Sequence, residues 1–163
     1  MGLVIYVIGV SGCGKSTIGK LLSEKTTIPF FDGDDFHPQA NIDKMSSGIA
    51  LVDNDRKQWL IDLNQHAFDH SRLKGAVIAC SALKESYREI LRSNIESQVK
   101  WVFLDGSQEL IQSRMASRED HFMPVNLIQS QFETLEVPNY GVHIDIVHSA
   151  EVIVNNIIKT LRI

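Results

Sequence analysis

Short runs of apolar residues recur along the chain, and longer segments with a helical spacing of apolar positions separate them. The apolar runs are rich in β-branched and aromatic residues, which favour strands, and they lie at residues 3–8, 28–31, 76–80, 100–104 and 143–147. Most of them are apolar throughout rather than alternating, which is typical of parallel strands that are covered on both faces. The pattern therefore predicts a parallel sheet with helices on both sides.

The segments between these strands predict helices at residues 15–25, 54–73, 83–94, 108–117, 126–135 and 151–161. In the longest of them, Trp59, Leu60 and Leu63 follow a helical spacing, and Asp53 is the predicted N-cap. Ser81 is the predicted cap of the next helix. Strand and helix alternate without a repeat or a linker, so we expect a single α/β domain over residues 1–163 with right-handed crossovers.

Two polar segments interrupt the apolar pattern. Residues 32–53 are rich in Asp, Gly, Ser, His and Pro and give a weak helical signal, and residues 114–124 mix cations, acids, His and Pro. Long polar connections in a compact domain are usually functional or disordered. We expect both segments at the C-terminal edge of the sheet, where open α/β sheets bind ligands.

A glycine-rich segment joins the first strand to the first helix and matches the phosphate-binding pattern G-x-x-x-x-G-K-[ST]. We expect ATP to bind the residues Gly9, Ser11, Gly12, Cys13, Gly14, Lys15, Ser16 and Thr17. Glycines let successive backbone N–H groups face a phosphate, and the N-terminus of the next helix attracts the same anion. Lys15 is the predicted catalytic contact to the β- and γ-phosphates, and the Ser16 hydroxyl is a predicted Mg²⁺ ligand. The alternative is a simple tight turn, but a lysine in the first helical turn opposes the helix dipole by roughly 0.3–1 kcal/mol.

Three carboxylates, Asp32, Asp34 and Asp35, lie within four residues after the second strand. Like charges this close repel each other, and no cation adjoins them in the sequence. One carboxylate could hold a metal ion, and another could accept the proton of an attacking alcohol. We therefore predict Asp34 as the catalytic base and Asp32 as a metal ligand. The alternative is a solvated acidic turn, because Asp and Gly are common turn residues.

Several cations lie where they could meet an anion. Arg56 and Lys84 fall in the first turns of two predicted helices, where a cation opposes the helix dipole, and Arg88 lies one turn after Lys84. We predict that these three bind the carboxylate of an organic substrate, since the arginine fork matches both carboxylate oxygens. The alternative for each is an ordinary surface cation paired with a neighbouring acid.

Arg114 and Arg118 lie four residues apart near the end of another predicted helix. Cations suit the dipole there, so a plain surface role is one interpretation. The functional interpretation is a lid over about residues 114–126, in which Arg114 binds the nucleotide and Arg118 stabilises the transferred phosphoryl group. His121 would belong to the same lid.

Net charge, cysteine count and the length of the apolar runs limit the possible classes of protein. The net charge of −4, from 20 acidic residues and 16 lysines and arginines, argues against a dedicated nucleic-acid-binding protein. Cys13 and Cys80 are too few for a disulfide framework and lack a metal-ligand spacing, so we expect buried, reduced thiols. The apolar N-terminus has no basic region before it and no run is long enough for a membrane span, so we expect a cytoplasmic protein.

Beyond these patterns, the residues match a known family over nearly the whole chain. The matching positions are 9–17, 32–34, 37–38, 41–45, 53–56, 80–84, 87–88, 118–124 and 131–136. In these positions the sequence resembles the gluconate kinases (gluconokinases), small relatives of shikimate kinase and the nucleoside monophosphate kinases. The phosphate-binding loop alone indicates only a nucleotide, whereas the later motifs are more specific to this family.

The resemblance implies transfer of the γ-phosphoryl group of ATP to the 6-hydroxyl of D-gluconate, with Mg²⁺, to give 6-phosphogluconate. It implies a P-loop nucleoside-kinase-like three-layer α/β sandwich with a five-stranded parallel sheet and a lid, often as a homodimer. Asp32 and Asp34 look like the Asp-x-Asp of shikimate kinase, which supports their predicted roles. His37 and His121 are the further predicted substrate-binding residues.

Two other functions stay open at this point. One is a kinase for another small hydroxy acid such as shikimate, or for a nucleotide, although a nucleotide acceptor would need more phosphate-binding cations. The other is a nucleotide-dependent switch or binding module without turnover, which would not need the cluster of Asp32 and Asp34.

Overall fold

The computed structural model describes residues 1–117 and 125–163. Within them, five parallel strands form one sheet: β1 (Val4–Ile8), β2 (Phe30–Asp32), β3 (Ala76–Ala79), β4 (Val99–Asp105) and β5 (Val142–Asp145). Their order across the sheet is β2-β3-β1-β4-β5. Val4 at the start of the central strand aligns with Ala76 on one side and with Val99 on the other. The predicted parallel sheet is confirmed.

Helices connect successive strands. They are α1 (Lys15–Thr26), α2 (Gln39–Ser46), α3 (Asp53–Ser71), α4 (Glu85–Arg92), α5 (Gln108–Ala116), α6 (Val125–Thr134) and α7 (Ala150–Leu161). Two short 3₁₀ turns, Gly33–Phe36 and Glu96–Gln98, complete the secondary structure of the described residues. None of the helices in this part of the chain is long and apolar enough to cross a membrane.

Two hydrophobic cores, one on each face of the sheet, hold the layers together. Side chains alternate along a strand, so Ile5 and Val7 of β1 face one way while Tyr6 faces the other. The first face packs on apolar residues of α1, α5, α6 and α7, and the second face packs on residues of α3 and α4. Every residue of β1 is buried, as its continuous apolar run predicts. The result is the expected three-layer α/β sandwich.

The cysteines behave as the sequence predicts. Cys13 and Cys80 are both buried and free. Burial raises the pKa of the Cys80 thiol to about 12, so this side chain stays neutral.

Two predicted helix caps are wrong. Helix α3 begins at Asp53 itself, and the Asp55 carboxylate accepts a hydrogen bond from the Val52 N–H at 2.9 Å. Helix α4 begins at Glu85 rather than near Ser81, and the Glu85 N–H donates to the carboxylate of distant Glu136 at 2.8 Å. At both helix N-termini, the carboxylate that accepts the hydrogen bond belongs to a residue other than the predicted cap.

The polar segment 32–53 contains a helix that its weak signal did not reveal. Helix α2 has partners on α3, since its Lys44 ammonium lies 2.8 Å from the Asp55 carboxylate. The buried Asn41 amide also donates to the Asp55 carbonyl oxygen at 2.9 Å. These partners are distant in sequence, so local propensity underestimates the helix.

Candidate functional site

The glycine-rich loop leaves the central strand and turns directly into α1. Gly12 and Gly14 adopt left-handed conformations, with φ of 81° and 96°, which favour glycine over residues with a Cβ. A Cβ on Gly12 would also lie 2.6 Å from the Met115 sulfur. The strand–loop–helix arrangement that the phosphate-binding pattern requires is therefore present, and the first turn of α1 opens beside the loop.

Polar groups of the loop already have partners. The Lys15 Nζ donates to the Val10 carbonyl oxygen at 2.9 Å, so the ammonium lies against the backbone of the loop. The Ser11 N–H donates to the Gln131 side-chain oxygen at 2.7 Å, and the Gln131 amide donates to the Ser11 hydroxyl at 3.0 Å. Gln131 of α6 therefore contacts the loop, although the local sequence pattern does not predict it as a site residue. Its only sequence signal is its place in the family motif at 131–136, because 120 residues separate it from Ser11.

Ser16 and Asp32 meet beside the loop. The Ser16 hydroxyl donates to one Asp32 carboxylate oxygen at 2.6 Å, and the other oxygen accepts from the Asp34 N–H at 3.0 Å. A hydroxyl and a carboxylate are suitable ligands for Mg²⁺, which keeps several waters and binds substrate phosphates in addition. No group of three or more His, Cys, Asp or Glu side chains that could hold a metal lies within the described ranges. The two predicted metal ligands therefore fit Mg²⁺ that shares its coordination with phosphate and water.

A cavity beside the loop brings together residues from distant parts of the chain. We call it the acceptor cavity, and its polar lining includes Ser11, Lys15, Asp34, His37, Arg56 and Gln131. The predicted base and the predicted phosphate contact thus line the same space. Apolar side chains from α2, from the α2–α3 connection and from α6 form much of the remaining wall.

Of the three cations predicted to bind a substrate carboxylate, Arg56 lines the acceptor cavity. Its Nη2 donates to the Leu51 carbonyl oxygen at 3.1 Å, and its guanidinium lies 5.5 Å from the centre of the Tyr87 ring. Its Nε is buried and has no hydrogen-bond partner among the described residues. Because Arg56 lines the cavity and its guanidinium is positively charged, this arginine is suited to an anion there.

His37 also lines the acceptor cavity and is held by an aromatic partner. Its ring stacks on the Trp59 ring with centroids 4.1 Å apart, and only 4% of its side chain is exposed. Burial, together with the nearby positive charge of Arg56, lowers the pKa of His37 from 6.5 to about 4. His37 is therefore neutral near pH 7.

Lys84 does not line the acceptor cavity. It precedes α4, and its Nζ lies 2.9 Å from the Asp53 carboxylate, which also accepts a hydrogen bond from the Tyr87 hydroxyl. These hydrogen bonds, from Tyr87 first and then Lys84, hold the pKa of Asp53 below its usual value. Lys84 therefore has the acidic partner that the alternative interpretation proposed.

Arg88 does not line the cavity either, and its hydrogen bonds within the described residues are structural. Only 1% of the residue is exposed. Its guanidinium donates to the carbonyl oxygens of Ala82 and Glu136 at 2.9 and 2.8 Å and to the Glu85 carboxylate at 3.0 Å. Ala82 has a φ of 42°, a strained conformation for alanine. Arg88 therefore stabilises this turn and fixes it to the chain after α6.

Replacing Arg88 with methionine is expected to lower the free energy of unfolding by about 3–5 kcal/mol, because Glu85 and two carbonyl groups lose a buried partner. Urea unfolding measures this change. Arg92→Met is the matched control, since Arg92 lies one turn further along α4, is partly exposed and pairs with the same Glu85 at 2.9 Å. The control should cost at most about 1 kcal/mol. Equal stability of the two variants, with weaker substrate binding in Arg88→Met, would restore the substrate role.

A second cavity also borders the glycine-rich loop. Its lining includes Cys13, Gly14, Thr17, Arg114, Ile146 and His148. The Arg114 Nη2 donates to the Ile146 carbonyl oxygen at 2.6 Å, which fixes the arginine across this cavity. Arg114 and Thr17, both predicted nucleotide contacts, therefore share one space.

The remaining predicted site residues, Arg118 and His121, lie outside the described residues. Most of the predicted lid lies there as well. Of the predicted lid, residues 114–116 form the end of α5 and Ser117 is its C-cap. Residues 125 and 126 begin α6.

Comparisons with known proteins give a consistent result. A family model described as shikimate kinase matches residues 11–161. The thermosensitive gluconokinase of Escherichia coli (strain K12) is 46% identical, over 90% of this chain and 81% of that protein. A gluconokinase of Arabidopsis thaliana is 45% identical, over 97% of this chain and 92% of that protein. The crystal structure of a gluconokinase from Sinorhizobium meliloti 1021 matches with a TM-score of 0.89 at 40% identity, covering 98% of this chain and 91% of that one.

Proposed function

The chain belongs to the gluconokinases within the shikimate kinase family, and from this membership we propose that it phosphorylates D-gluconate at the 6-hydroxyl with ATP. One observation of the structure carries the proposal. Lys15 of the phosphate-binding loop, the Asp34 carboxylate and the Arg56 guanidinium all line the acceptor cavity. A phosphate contact, a base and an anion-binding cation are what a kinase of a hydroxy acid needs.

The proposed chemistry is an in-line transfer. Asp34 accepts the proton of the 6-hydroxyl, whose oxygen forms a bond to the γ-phosphorus of ATP. The bond from this phosphorus to the bridging oxygen breaks, and ADP leaves. Lys15 neutralises charge that develops on the phosphate oxygens, so catalysis rests on positioning and electrostatics. Arg118 completes the proposal as a second cation on the transferred group.

The nucleotide takes the other part of the site in this proposal. Its phosphates lie along the glycine-rich loop, and its base occupies the second cavity beside Arg114 and Thr17. Ser16 and Asp32 would hold Mg²⁺, which when bound neutralises charge on the phosphates. The contact between the Ser16 hydroxyl and the Asp32 carboxylate at 2.6 Å supports this pair of ligands.

The sugar acid occupies the acceptor cavity with its carboxylate on Arg56. The place of Arg56 in the lining of this cavity supports the assignment. His121 stays a proposed substrate contact from the family motif. Lys84 and Arg88 are left out, because both have acidic partners outside the cavity.

A panel of acceptors tests the proposal. Purified protein with Mg²⁺ and ATP is expected to release ADP with D-gluconate but much less with other sugar acids or shikimate, in a coupled assay. Phosphorus–proton correlation by NMR should place the new phosphate on O6. Turnover with shikimate in place of gluconate would assign the other activity of the family, and no turnover with any acid would contradict kinase function.

We also propose that the enzyme acts in the cytoplasm on small molecules, without a nucleic-acid or membrane partner, and that two copies form a homodimer. The net charge of −4 supports the first part, since nucleic-acid-binding proteins usually carry a basic surplus. Sedimentation of the purified protein tests the second.

A further inference from the structure

His37 is held rigidly between the turn that carries Asp34 and a buried amide. It stacks almost parallel on Trp59, with an angle of 15° between the rings. Trp59 is itself fixed, because its indole N–H donates to the Gly33 carbonyl oxygen at 2.7 Å. Gly33 begins the same 3₁₀ turn that contains Asp34. The imidazole and the proposed base therefore belong to one rigid unit.

Asn41 determines which imidazole nitrogen carries the proton. Its amide nitrogen lies 2.9 Å from the Asp55 carbonyl oxygen and 3.2 Å from the Nδ1 of His37. A carbonyl oxygen can only accept, so the atom facing it must be the amide nitrogen and not the amide oxygen. The second N–H of this nitrogen then donates to Nδ1 of His37. The Nδ1 atom is therefore an acceptor, and the proton of the neutral ring lies on Nε2.

The same contact disfavours a charged imidazole. An imidazolium would direct an Nδ1–H against the N–H of Asn41, placing a donor against a donor. Burial and the charge of Arg56 act in the same direction on the pKa of His37. A neutral imidazole orients a carboxylate without the positive charge that would lower its basicity.

The Nε2 of His37 faces the Asp34 carboxylate, 4.0 Å from its nearer oxygen. This separation is longer than a hydrogen bond, and an approach closer by about 1 Å in the substrate complex would make it one. Catalytic hydrogen bonds are often long without substrate and shorten in the complex.

We propose that His37 is a positioning residue, which orients the Asp34 carboxylate through its Nε2–H, and that Asn41 keeps the proton on that nitrogen. The proposal rests on the proposed function and adds to it. One carboxylate oxygen accepts from His37, and the other accepts the proton of the substrate hydroxyl. His37 neither gains nor loses a proton in the reaction.

Two amide variants of His37 separate this role from a general structural one. The nitrogen of glutamine lies the same number of bonds from Cα as Nε2, whereas that of asparagine corresponds to Nδ1. Both variants lose the stacking on Trp59, so each serves as the structural control for the other. We expect kcat to fall about 10- to 100-fold in His37→Asn and clearly less in His37→Gln, with smaller changes in KM for both variants. Thermal unfolding compares their stability. Equal kcat values, or a rise in the KM for gluconate alone, would overturn the proposal in favour of a structural or a direct substrate-binding role.

A second measurement needs no substrate. Long-range proton–nitrogen correlation spectra of the wild-type protein at pH 7 report the tautomer of each histidine, and selective labelling with a His37→Gln comparison identifies the His37 signal. The expected result is a neutral ring with its proton on Nε2. A proton on Nδ1, or a charged ring, would refute the inference. Failure of the proposed function is distinct from this, since it would appear as wild-type protein without gluconate-dependent ADP release.

Discussion

Replacing Asp34 with asparagine is expected to lower kcat by about 10²–10⁴-fold, because the amide cannot accept the proton of the attacking hydroxyl. The affinity for ATP should change little, since the phosphate-binding loop and Lys15 are unaffected. Stability should also be retained, because the Asp34 side chain is 83% exposed and asparagine has the same shape. Steady-state assays of ADP release and calorimetric titration with a non-hydrolysable ATP analogue measure the two effects separately.

Asp35→Asn is the matched control for this variant. It makes the same change in charge one residue further along, but Asp35 does not line the acceptor cavity and faces another surface depression with Lys20 and Phe36. We expect its kcat to stay within about twofold of the wild type, since exposed substitutions outside a site have small effects. A near-normal kcat for Asp34→Asn would remove Asp34 as the base. A large loss in both variants would point instead to the total charge of the turn.

The features that the sequence predicts correctly depend on neighbours along the chain. The phosphate-binding loop needs only a strand before it and a helix after it, and both are visible in the local pattern of residues 3–25. The central strand is equally clear, because residues buried on both faces leave a continuous apolar run. Each of these signals is contained within one segment, so the sequence alone is sufficient.

The wrong predictions concern partners that only the folded chain brings together. Asp53 was expected to cap a helix, but its carboxylate binds Lys84 and Tyr87, more than 30 residues away. Local rules cannot include such partners, and they therefore assign the nearest polar residue to the cap. The contact of Gln131 with Ser11 is not predicted either, because these two residues are 120 positions apart in the sequence.

The cations show where an argument from the helix dipole succeeds and where it fails. A cation at a helix N-terminus suggests a nearby anion, and for Arg56 the structure provides a cavity. For Lys84 the anion is the Asp53 side chain. Arg88 lies inside α4, and its position on the same face as Lys84 suggested a common ligand. Its partners at Ala82 and Glu136 are backbone carbonyl oxygens. Every residue has such an oxygen, so the sequence cannot indicate which of them will bind the arginine.

Replacing Lys15 with methionine is expected to lower kcat/KM by about 10²–10³-fold, because a preorganised positive charge is lost where negative charge develops in the transition state. The Lys15 ammonium lies at the phosphate-binding loop and lines the acceptor cavity, so it adjoins both the donor phosphate and the acceptor hydroxyl in the proposed complex. Methionine keeps much of the apolar stem. The folded protein loses the hydrogen bond to the Val10 carbonyl, which is worth about 1 kcal/mol.

Lys20→Met separates this effect from a change in net charge. Lys20 lies on the same helix and is exposed, with its ammonium 6.0 Å from the centre of the Phe30 ring and outside the acceptor cavity. Its kcat/KM should stay within about twofold of the wild type, since the positive charge that it removes is far more screened. Single-turnover measurements at saturating ATP then show whether the loss in Lys15→Met lies in the transfer step itself. If Lys15→Met transfers the phosphoryl group at the wild-type rate, the ammonium serves only to bind the nucleotide, and stabilisation of the transition state must come from other cations.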